Sequence, residues 1–398
     1  MKKKCIFIAI HYLEIGGAEI SLIGLLNAID YSRYEVDLFV YSHQGELMKL
    51  IPKEVNLLPE ISKYAQIEQP MISVLKRGYV DVVLARLWAK VRFAAYARRV
   101  KPKDGSAVFQ YVANAVTPCL PSLHHLGMYN LAISFLTPHN IVLEKVQARK
   151  KIAWIHTDYS RIDVNAALEL PVCNGYDYIA SISPDVSRTF LSVFPSLQGK
   201  LVEIANILSP AFVRNRAEEQ VDLSVFGDEA VKLLSIGRFT YQKNFDNVPD
   251  ILRRIREHGI DARWYLIGYG GDESLIRQRI REAGMENYVV IIGKKANPYP
   301  YIQACDLYIQ PSRYEGNSVT VREAQMLCKP VVVADYPTAA SQIQNEKDGV
   351  IVPLENAACA EGIVRVIQDA ELQSRLIQFL KAHDYGNENE VEKIYKLI

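Results

Sequence analysis

The chain has 398 residues, 49% of them apolar, and this length exceeds the size at which a single hydrophobic core normally stops growing. Two domains are therefore expected. The 46 Lys and Arg residues nearly balance the 45 Asp and Glu residues, and a net charge of +1 excludes a general basic surface for nucleic acid.

The six cysteines are scattered without a C-x-x-C pair, which is typical of reduced core thiols in a cytoplasmic protein. The amino-terminal MKKKCIFIAI has the charge order of a secretory signal, but its apolar run ends after six residues at His11. We interpret it as a first β-strand. Because no apolar run approaches the roughly 18–20 residues of a membrane-spanning helix, the sequence predicts a soluble or peripheral protein.

In the first half, short β-branched runs alternate with helical patterns, which is typical of parallel sheets with crossover helices. The strands predicted there are residues 4–10, 35–41, 54–58, 131–135, 151–155, 177–182 and 201–205. The following segment, 208–228, is polar and without periodicity, so we predict a linker there.

The second half alternates more regularly. Its predicted strands are 231–237, 263–268, 288–293, 306–311, 330–335 and 349–353, and its predicted helices are 246–258, 272–284, 299–304 and 318–329. The sequence thus predicts an α/β protein with two doubly wound domains, residues 1–210 joined by a C-terminal helix at 385–398, and residues 211–384. In such sheets ligands bind at the carboxyl ends of the strands, here in a cleft between the domains.

Two cations and a glycine-rich turn follow strands of the second domain. Arg238 and Lys243 share one loop, with a spacing that lets both side chains converge on a single anion. After the next strand comes the turn YGGD, beginning beside Gly268 and opening a helix. Fixed cations and glycine-rich turns at one sheet edge fit a nucleoside diphosphate.

A helix N-terminus is predicted at the same edge. The strand DLYIQP leads into a loop with Glu315 and then into a helix that carries Glu323. The first amides of that helix, around Ser318 to Thr320, are expected to be free donors at the positive end of the helix dipole. Such an end favours phosphate.

Several segments in both halves have the form of motifs. EGNSVTVREAQMLCKPVVVAD resembles the E-x7-E segment of retaining glycosyltransferases of family 4, GRFTYQKN resembles their G-R-x-x-x-x-K diphosphate loop, and NPYPYIQACDLYIQPSRYEG is similar to the stretch before E-x7-E. In the first half, GGAEISL resembles their Gly-Gly loop and KIAWIHTD their strand-to-histidine segment. The resemblance covers most of the chain. It implies the GT-B fold, two Rossmann-like domains with the donor nucleotide held mainly by the second and the acceptor by the first.

The resemblance also implies residue roles. Glu323 would accept hydrogen bonds from the donor ribose, and Glu315 would lie over the transferred sugar. The implied catalytic residues are Glu315, His156, Arg238 and Lys243. The implied donor-binding residues are Gly16, Gly17, Arg238, Lys243, Gly268, Lys294, Tyr299, Asn317, Ser318, Val319 and Glu323.

A metal ion and a cofactor are not expected. The sequence has no D-x-D pair, and by the resemblance Arg238 and Lys243 would neutralise the departing diphosphate as a metal does in other transferases. Transfer would proceed with retention through an oxocarbenium-like transition state. The family proposal is that the leaving phosphate oxygen deprotonates the acceptor, so no protein base is named. Asn317 departs from the family, which often has Phe there.

The predicted function is transfer of a hexose or N-acetylhexosamine from a nucleoside-diphosphate sugar, with UDP-sugar preferred, to a saccharide or lipid-linked saccharide in cell-surface polysaccharide synthesis. Two alternatives stay open: a sugar-nucleotide epimerase of the same fold, and a non-catalytic nucleotide-sugar-binding partner protein. A nicotinamide-dependent oxidoreductase would require an early G-x-G-x-x-G, whereas the chain has only a late GYGG.

Residues 73–103 are locally basic, with nine Lys or Arg and one acid, Asp81. On a helical wheel one face carries Val80, Val83, Leu84, Leu87, Trp88, Val91 and Ala95, and it is flanked by Arg86, Lys90, Arg92 and Arg99. This pattern fits an interfacial helix at an anionic membrane, and equally a surface helix packed on its own sheet. The first interpretation places the protein at the inner face of the plasma membrane.

Overall fold

The computed structural model describes residues 3–102, 104–227 and 229–398. The chain forms two units, the first made of Met1–Leu208 and Asn387–Ile398 and the second of Ser209–Gly386. The sequence-based boundaries, at 210 and 385, lie two residues from those of the structure.

The first unit contains a parallel sheet that has seven strands over the described residues, in the order β3-β2-β1-β4-β5-β6-β7. The strands are β1 (Lys4–Ile10), β2 (Tyr34–Val40), β3 (Asn56–Leu57), β4 (Met128–Ser134), β5 (Gln147–Ile155), β6 (Tyr178–Ser181) and β7 (Leu201–Glu203). The middle strands are apolar because both faces are covered, and Phe7, Ile133 and Trp154 are fully buried.

The helices of this unit connect the strands. They are α1 (Gly17–Ala28), α2 (Ser62–Ala65), α3 (Met71–Lys76), α4 (Val80–Val100), α5 (Val108–Val116), α6 (Asn140–Lys145), α7 (Ala166–Asn174) and α8 (Pro184–Val193). Single 3₁₀ turns occupy Glu46–Leu50, Thr117–Cys119, His124–Leu126 and Pro195–Lys200. Neighbouring residues in the sequence set the start of α8. The Ser183 hydroxyl caps the helix by accepting from the Val186 amide, and Pro184 takes the first helical position.

The second unit contains a parallel sheet with six strands among the described residues, in the order β10-β9-β8-β11-β12-β13. The strands are β8 (Val231–Ile236), β9 (Ala262–Ile267), β10 (Val289–Gly293), β11 (Leu307–Gln310), β12 (Val331–Ala334) and β13 (Val350–Val352). Its helices are α9 (Pro210–Ala217), α10 (Val248–Glu257), α11 (Glu273–Glu282), α12 (Tyr299–Ala304), α13 (Val319–Met326), α14 (Ala339–Gln342), α15 (Asn356–Gln368) and α16 (Ala370–Ala382), with 3₁₀ turns at Ser224–Phe226 and Tyr241–Lys243.

The predicted linker at 208–228 is wrong in part, because it contains α9. The Ser209 hydroxyl accepts from the Phe212 amide, and Pro210 occupies the first helical position. The predicted C-terminal helix also starts later than 385. The chain ends in α17 (Val391–Tyr395) after a 3₁₀ turn at Glu388–Glu390, and the Tyr395 ring stacks on Tyr34 of β2 at 4.2 Å.

Among the described residues, none of the helices combines the length and apolar character needed to cross a bilayer. The six cysteines are all free thiols.

Candidate functional site

The carboxyl edge of the second sheet contains a reversal of strand order beside β8. From β8 the chain adds β9 and β10 on one side and then returns to place β11 on the other side. In open α/β sheets this point is where ligands bind. The loop after β8 contains Arg238 and Lys243, and the loop after β11 contains Glu315, so the topology brings these candidates to one edge.

Side chains tie the two loops together. Asn244 has the left-handed φ of 61° that ends the 3₁₀ turn, and its amide donates to the Pro311 carbonyl at 2.9 Å. Arg313 binds both carboxylate oxygens of Asp246, at 3.0 and 2.8 Å. Such a bidentate pair fixes geometry as well as charge. The position of Lys243 relative to Glu315 is thus set by the fold.

Glu315 is held by four side chains. Its Oε1 accepts from Lys243 Nζ at 2.6 Å, from the Ser312 hydroxyl at 2.6 Å and from Gln310 Nε2 at 3.1 Å. Its Oε2 accepts from Gln242 Nε2 at 3.3 Å. The side chains of Lys243 and Glu315 are only 17% and 6% exposed, so the ion pair is largely shielded from water.

The structure pairs two residues that the sequence assigned to different parts of the donor. Lys243, expected at the diphosphate, is bound to Glu315, expected at the sugar. Arg238 is exposed, and over the part of the chain described here no ion pair holds it. The two cations expected to converge on one anion therefore differ in environment.

Backbone contacts between neighbouring loops explain two glycines, Gly268 just before the YGGD turn and Gly270 within it. Gly268 has a φ of +153°, and a Cβ on it would lie 1.9 Å from the Gly237 carbonyl oxygen. Gly270 has a φ of +157°, and its Cβ would lie 2.4 Å from the Phe239 carbonyl oxygen. Because the loops after β8 and β9 pack backbone against backbone, packing alone requires glycine at these positions.

Glu323 is 2% exposed on α13 and accepts a hydrogen bond from the Tyr299 hydroxyl at 2.7 Å. Burial raises the pKa of this carboxyl to about 7, against the opposing effect of Tyr299. Burial and the Glu323 charge also raise the pKa of Tyr299 well above its ordinary value. Two residues predicted to bind the donor, Tyr299 and Glu323, are thus in direct contact. The Glu323 carboxyl of this pair has a pKa near neutral pH.

The N-terminus of α13 is partly occupied. The Ser318 amide donates to Gln342 Oε1 at 3.1 Å, and Gln342 Nε2 donates back to the Ser318 carbonyl at 2.7 Å. The expectation that the Ser318 amide is a free donor is therefore wrong. Val319 begins the helix, so the first-turn amides that follow Ser318 have no acceptor within it. Asn317, just before, is half-buried.

Lys294 follows β10, one strand further from the reversal than β9. Its Nζ lies 4.8 Å from the centre of the Tyr269 ring in the glycine-rich turn. This cation–π contact places Lys294 beside the turn after β9.

In the first unit, Gly16 and Gly17 stand where α1 begins after β1. Gly16 has extended backbone, and a Cβ on it would lie 2.3 Å from Glu19 Oε2. Glu19 is buried in the first turn of α1. A larger residue at position 16 would therefore have to displace the Glu19 carboxylate.

His156 follows β5 and packs between rings. Its imidazole lies 4.7 Å from Phe135 and is nearly parallel to Trp154 at 6.0 Å. Burial lowers the pKa of His156 to about 3, although Asn206 opposes this effect, and burial lowers the pKa of His139 to about 3 as well. His156 is therefore neutral at physiological pH and suited to hydrogen bonding rather than to carrying charge.

Sequence reasoning missed the residues that hold Glu315, which are Gln242, Gln310 and Ser312. The signal in the sequence is that Gln310 and Ser312 are polar residues at the end of an apolar strand. The structure shows that both are fully buried. Buried polar side chains need hydrogen-bond partners, and Glu315 Oε1 accepts from both Gln310 Nε2 and the Ser312 hydroxyl.

Among the described residues, no group of three His, Cys, Asp or Glu side chains is arranged to hold a metal ion. Lys243 and Arg238 supply cationic groups at the reversal of the second sheet. The geometry there combines a shielded ion pair, a buried carboxyl with raised pKa and a helix N-terminus, an arrangement suited to binding a polar phosphorylated ligand.

Residues 217–383 match the family described as "Glycosyl transferases group 1", and this match covers most of the second unit. The second unit therefore resembles a group 1 glycosyltransferase domain. The prediction that the chain is a glycosyltransferase is confirmed. Membership in family 4, which the motifs predict, stays a prediction.

Curated relatives agree with this assignment, and solved structures show the fold. The chain is 26% identical over 273 residues to amylovoran biosynthesis glycosyltransferase AmsD of Erwinia amylovora, covering 67% of this chain and 76% of that protein. It is 24% identical over 163 residues to N-acetylgalactosamine-N,N'-diacetylbacillosaminyl-diphospho-undecaprenol 4-alpha-N-acetylgalactosaminyltransferase of Campylobacter jejuni, covering 38% of this chain and 44% of that protein. The crystal structure of Anabaena HepE in complex with UDP and glucose superposes with a TM-score of 0.68 at 16% identity, covering 99% of each chain. The predicted GT-B fold, with two Rossmann-like domains, is confirmed.

Proposed function

We propose that the protein is a retaining glycosyltransferase of family 4 type that transfers a hexose or N-acetylhexosamine from a UDP-sugar to a saccharide or lipid-linked saccharide acceptor. The observation that supports this most is the grouping of Lys243, Glu315, Tyr299 and Glu323 around the strand reversal of the second sheet. The E-x7-E and diphosphate-loop resemblance assigns Lys243, Glu315 and Glu323 to the donor, and Tyr299 lies in the similar stretch before E-x7-E.

The donor would bind in three parts. Its ribose hydroxyls would donate to Glu323, which is held in place by Tyr299. Its diphosphate would take the first-turn amides of α13 and the cations Arg238 and Lys243. In this proposal the diphosphate draws Lys243 Nζ away from Glu315, so that a carboxylate already aligned by Ser312 becomes free to accept from hydroxyls of the sugar.

Transfer would break the bond between the anomeric carbon and the diphosphate oxygen and form a bond from that carbon to the acceptor oxygen on the same face. The acceptor proton would pass to the departing phosphate, so no protein base is required. Lys243 and Arg238 would stabilise the charge that builds on the diphosphate, the role of a metal in other transferases. Neither a metal nor a cofactor enters the proposal.

The first unit would supply the acceptor side. Gly16 and Gly17 would let the loop after β1 approach the reacting centre, and His156, neutral by burial, would contact the donor sugar. The preference for UDP rests on HepE, described in complex with UDP and glucose, and the lipid-linked acceptor rests on the C. jejuni relative, named for an undecaprenol diphosphate substrate. We place the activity in cell-surface polysaccharide synthesis at the cytoplasmic side; the biosynthetic part of this proposal is supported by AmsD, which is named for biosynthesis of amylovoran.

A thermal-shift panel of UDP-, GDP- and ADP-sugars tests the donor assignment. A donor at about 100 times its dissociation constant should stabilise the protein by about 2.7 kcal/mol. The proposal requires a UDP-sugar to give the largest shift and to remain unepimerised when incubated without acceptor. Formation of an epimer would identify the epimerase alternative, and no shift, or a shift with neither transfer nor epimer formation, would favour the non-catalytic alternative.

A further inference from the structure

The long helix α4 exposes its apolar face. Val80, Leu84, Leu87, Trp88 and Val91 lie on α4 and are each between 45% and 61% exposed. On the preceding helix α3, Ile72 and Leu75 are 73% and 52% exposed. We define these seven side chains as the apolar stripe. Exposed apolar residues are normal when single, but a contiguous group of large ones marks an interaction surface.

The opposite face of α4 anchors it to the first unit. Val82 and Ala89 are fully buried, and they lie about half a turn around the helix from Leu84 and Val91. Phe93 and Tyr96 contact the ring of Tyr111 on α5 at 5.9 and 5.7 Å. The alternative that the Leu84 and Val91 face packs on the sheet is therefore wrong, because small and aromatic residues of the other face make the packing.

Basic residues border the apolar stripe. Lys90, Arg98, Arg99 and Lys101 are exposed at the carboxyl half of α4 and just after it. The acid of this helix, Asp81, is bound to Lys63 at 2.5 Å. Four exposed cations therefore border the stripe, and the acid of α4 is already neutralised by Lys63.

Two of the predicted flanking cations have other roles. Arg86 donates to the Gln69 carbonyl on the packed side, and the Arg92 guanidinium lies 5.6 Å from the centre of the Tyr111 ring. They hold α4 in place and are not part of the exposed border. Lys103, which the sequence also placed in this basic segment, lies outside the described residues.

We propose that the apolar stripe and its basic border bind an anionic lipid bilayer, with α4 lying in the plane of the headgroups. An in-plane helix is distinguished by one apolar face, a basic border and an aromatic residue near the interface, and Trp88 lies in the middle of the stripe. The helix spans about 31 Å, so its side chains can reach a flat surface together.

The charges argue against a second copy as the occupant. An antiparallel pairing of two α4 helices would lay Arg98, Arg99 and Lys101 of one copy along the α3–α4 junction of the other. That junction carries Lys76 and Arg77, while Asp81 is already paired. Like charges would face each other, whereas an anionic bilayer would neutralise all of them. This inference goes beyond the proposed function, because it concerns binding in the absence of donor and acceptor.

Trp88 provides a direct probe. The chain has three tryptophans, and Trp154 and Trp264 are fully buried while Trp88 is 60% exposed. We expect vesicles of phosphatidylcholine with phosphatidylglycerol to shift the emission of the protein to shorter wavelength and to co-sediment with it at low salt. Phosphatidylcholine alone should do neither, and added salt should weaken both effects.

Two variants separate the apolar and electrostatic contributions. Replacing Arg98, Arg99 and Lys101 with Ser should lower the partition coefficient about a hundredfold at low salt, since each basic residue contributes about 1 kcal/mol near an anionic surface. The matched control replaces the exposed Arg277, Arg279 and Arg281 of α11 with Ser and should bind as wild type.

For the apolar contribution, Trp88→Ser should reduce sedimentation, and Met128→Ser, at a 60% exposed site on β4, should not. The proposal is overturned if wild type stays in the supernatant, if both triple variants lose binding equally, or if sedimentation equilibrium shows a dimer that Trp88→Ser dissociates while vesicles have no effect. Because none of these assays uses a sugar nucleotide, their failure leaves the glycosyltransferase proposal unaffected.

Discussion

Replacing Glu323 with Gln should stabilise the protein at alkaline pH and weaken donor binding. Burial raises the pKa of this carboxyl from 4.5 to about 7, and Gln keeps the shape and can still accept from Tyr299. The unfolded chain loses the proton near 4.5 and the folded protein near 7, so this group destabilises the fold progressively as pH rises between these values. One pKa unit corresponds to 1.36 kcal/mol, which makes the full effect about 3 kcal/mol.

The comparison is made by thermal unfolding of wild type and Glu323→Gln. The variant should resemble wild type at about pH 4, below both pKa values, and exceed it at about pH 8 by about 3 kcal/mol. Burial raises the pKa values of the neighbouring Tyr299 and Tyr308 well above their ordinary value of 10, so neither tyrosine loses a proton in this pH range in either protein. Equal pH dependence of the two proteins would refute the reasoning.

Calorimetry with a UDP-sugar supplies the functional half of the test. Loss of a charged acceptor should lower the affinity roughly 10- to 100-fold, because hydrogen bonds to charged groups contribute about 1.5–3 kcal/mol. Wild-type affinity should rise with pH through about 7, as Glu323 loses its proton, and the variant should lack this rise. The matched control is Glu169→Gln on α7, whose pKa burial also raises to about 7. Glu169→Gln should alter the pH dependence of stability but leave donor affinity unchanged. If Glu323→Gln also left donor affinity unchanged, Glu323 would not be part of the donor site.

Three further outcomes are expected. Lys243→Met should lower turnover at saturating donor, because loss of one transition-state hydrogen-bond donor typically raises the activation barrier by roughly 2.7–4 kcal/mol. Ser312 and Gln310 still hold Glu315 in this variant. Steady-state turnover near that of wild type would contradict this expectation. Gly268→Ala should lower the free energy of unfolding by more than about 2 kcal/mol, because of its positive φ and its contact with the Gly237 carbonyl, whereas Gly271→Ala, whose Cβ would meet nothing within 4 Å, should not. Transfer should continue in EDTA, and activity that is lost with EDTA and restored by Mg²⁺ would show that the cations of the protein do not suffice.

The sequence predicts the strands well because strands buried on both faces are continuous apolar runs. KCIFIAI is predicted as 4–10 and is observed as Lys4–Ile10. Where a strand begins with polar residues the prediction starts late. The QARK start of β5 is missed for this reason, since the pattern shows only the apolar part. The start of α9 is different, because Ser209 and Pro210 were a readable capping signal within a segment that lacks apolar periodicity.

Contacts between distant segments could not be predicted. The Lys243–Glu315 pair joins residues 72 positions apart, and it forms because β8 and β11 are neighbours, which neither motif states. The orientation of α4 also could not be predicted from the sequence, because it depends on contacts with other segments. A helical wheel identifies one apolar face, but only the packing of Val82, Ala89 and Phe93 shows that this face is turned away from the core.

The most direct test of the central claim follows the anomeric carbon of the donor. The protein is incubated with a UDP-sugar labelled with ¹³C in the sugar and with a lipid-linked oligosaccharide acceptor, and the anomeric signals are recorded by NMR. The account predicts UDP release and one new glycosidic signal with the same anomeric configuration as the donor, both lost in Glu315→Ala. A product of inverted configuration, or full transfer by Glu315→Ala, would contradict it.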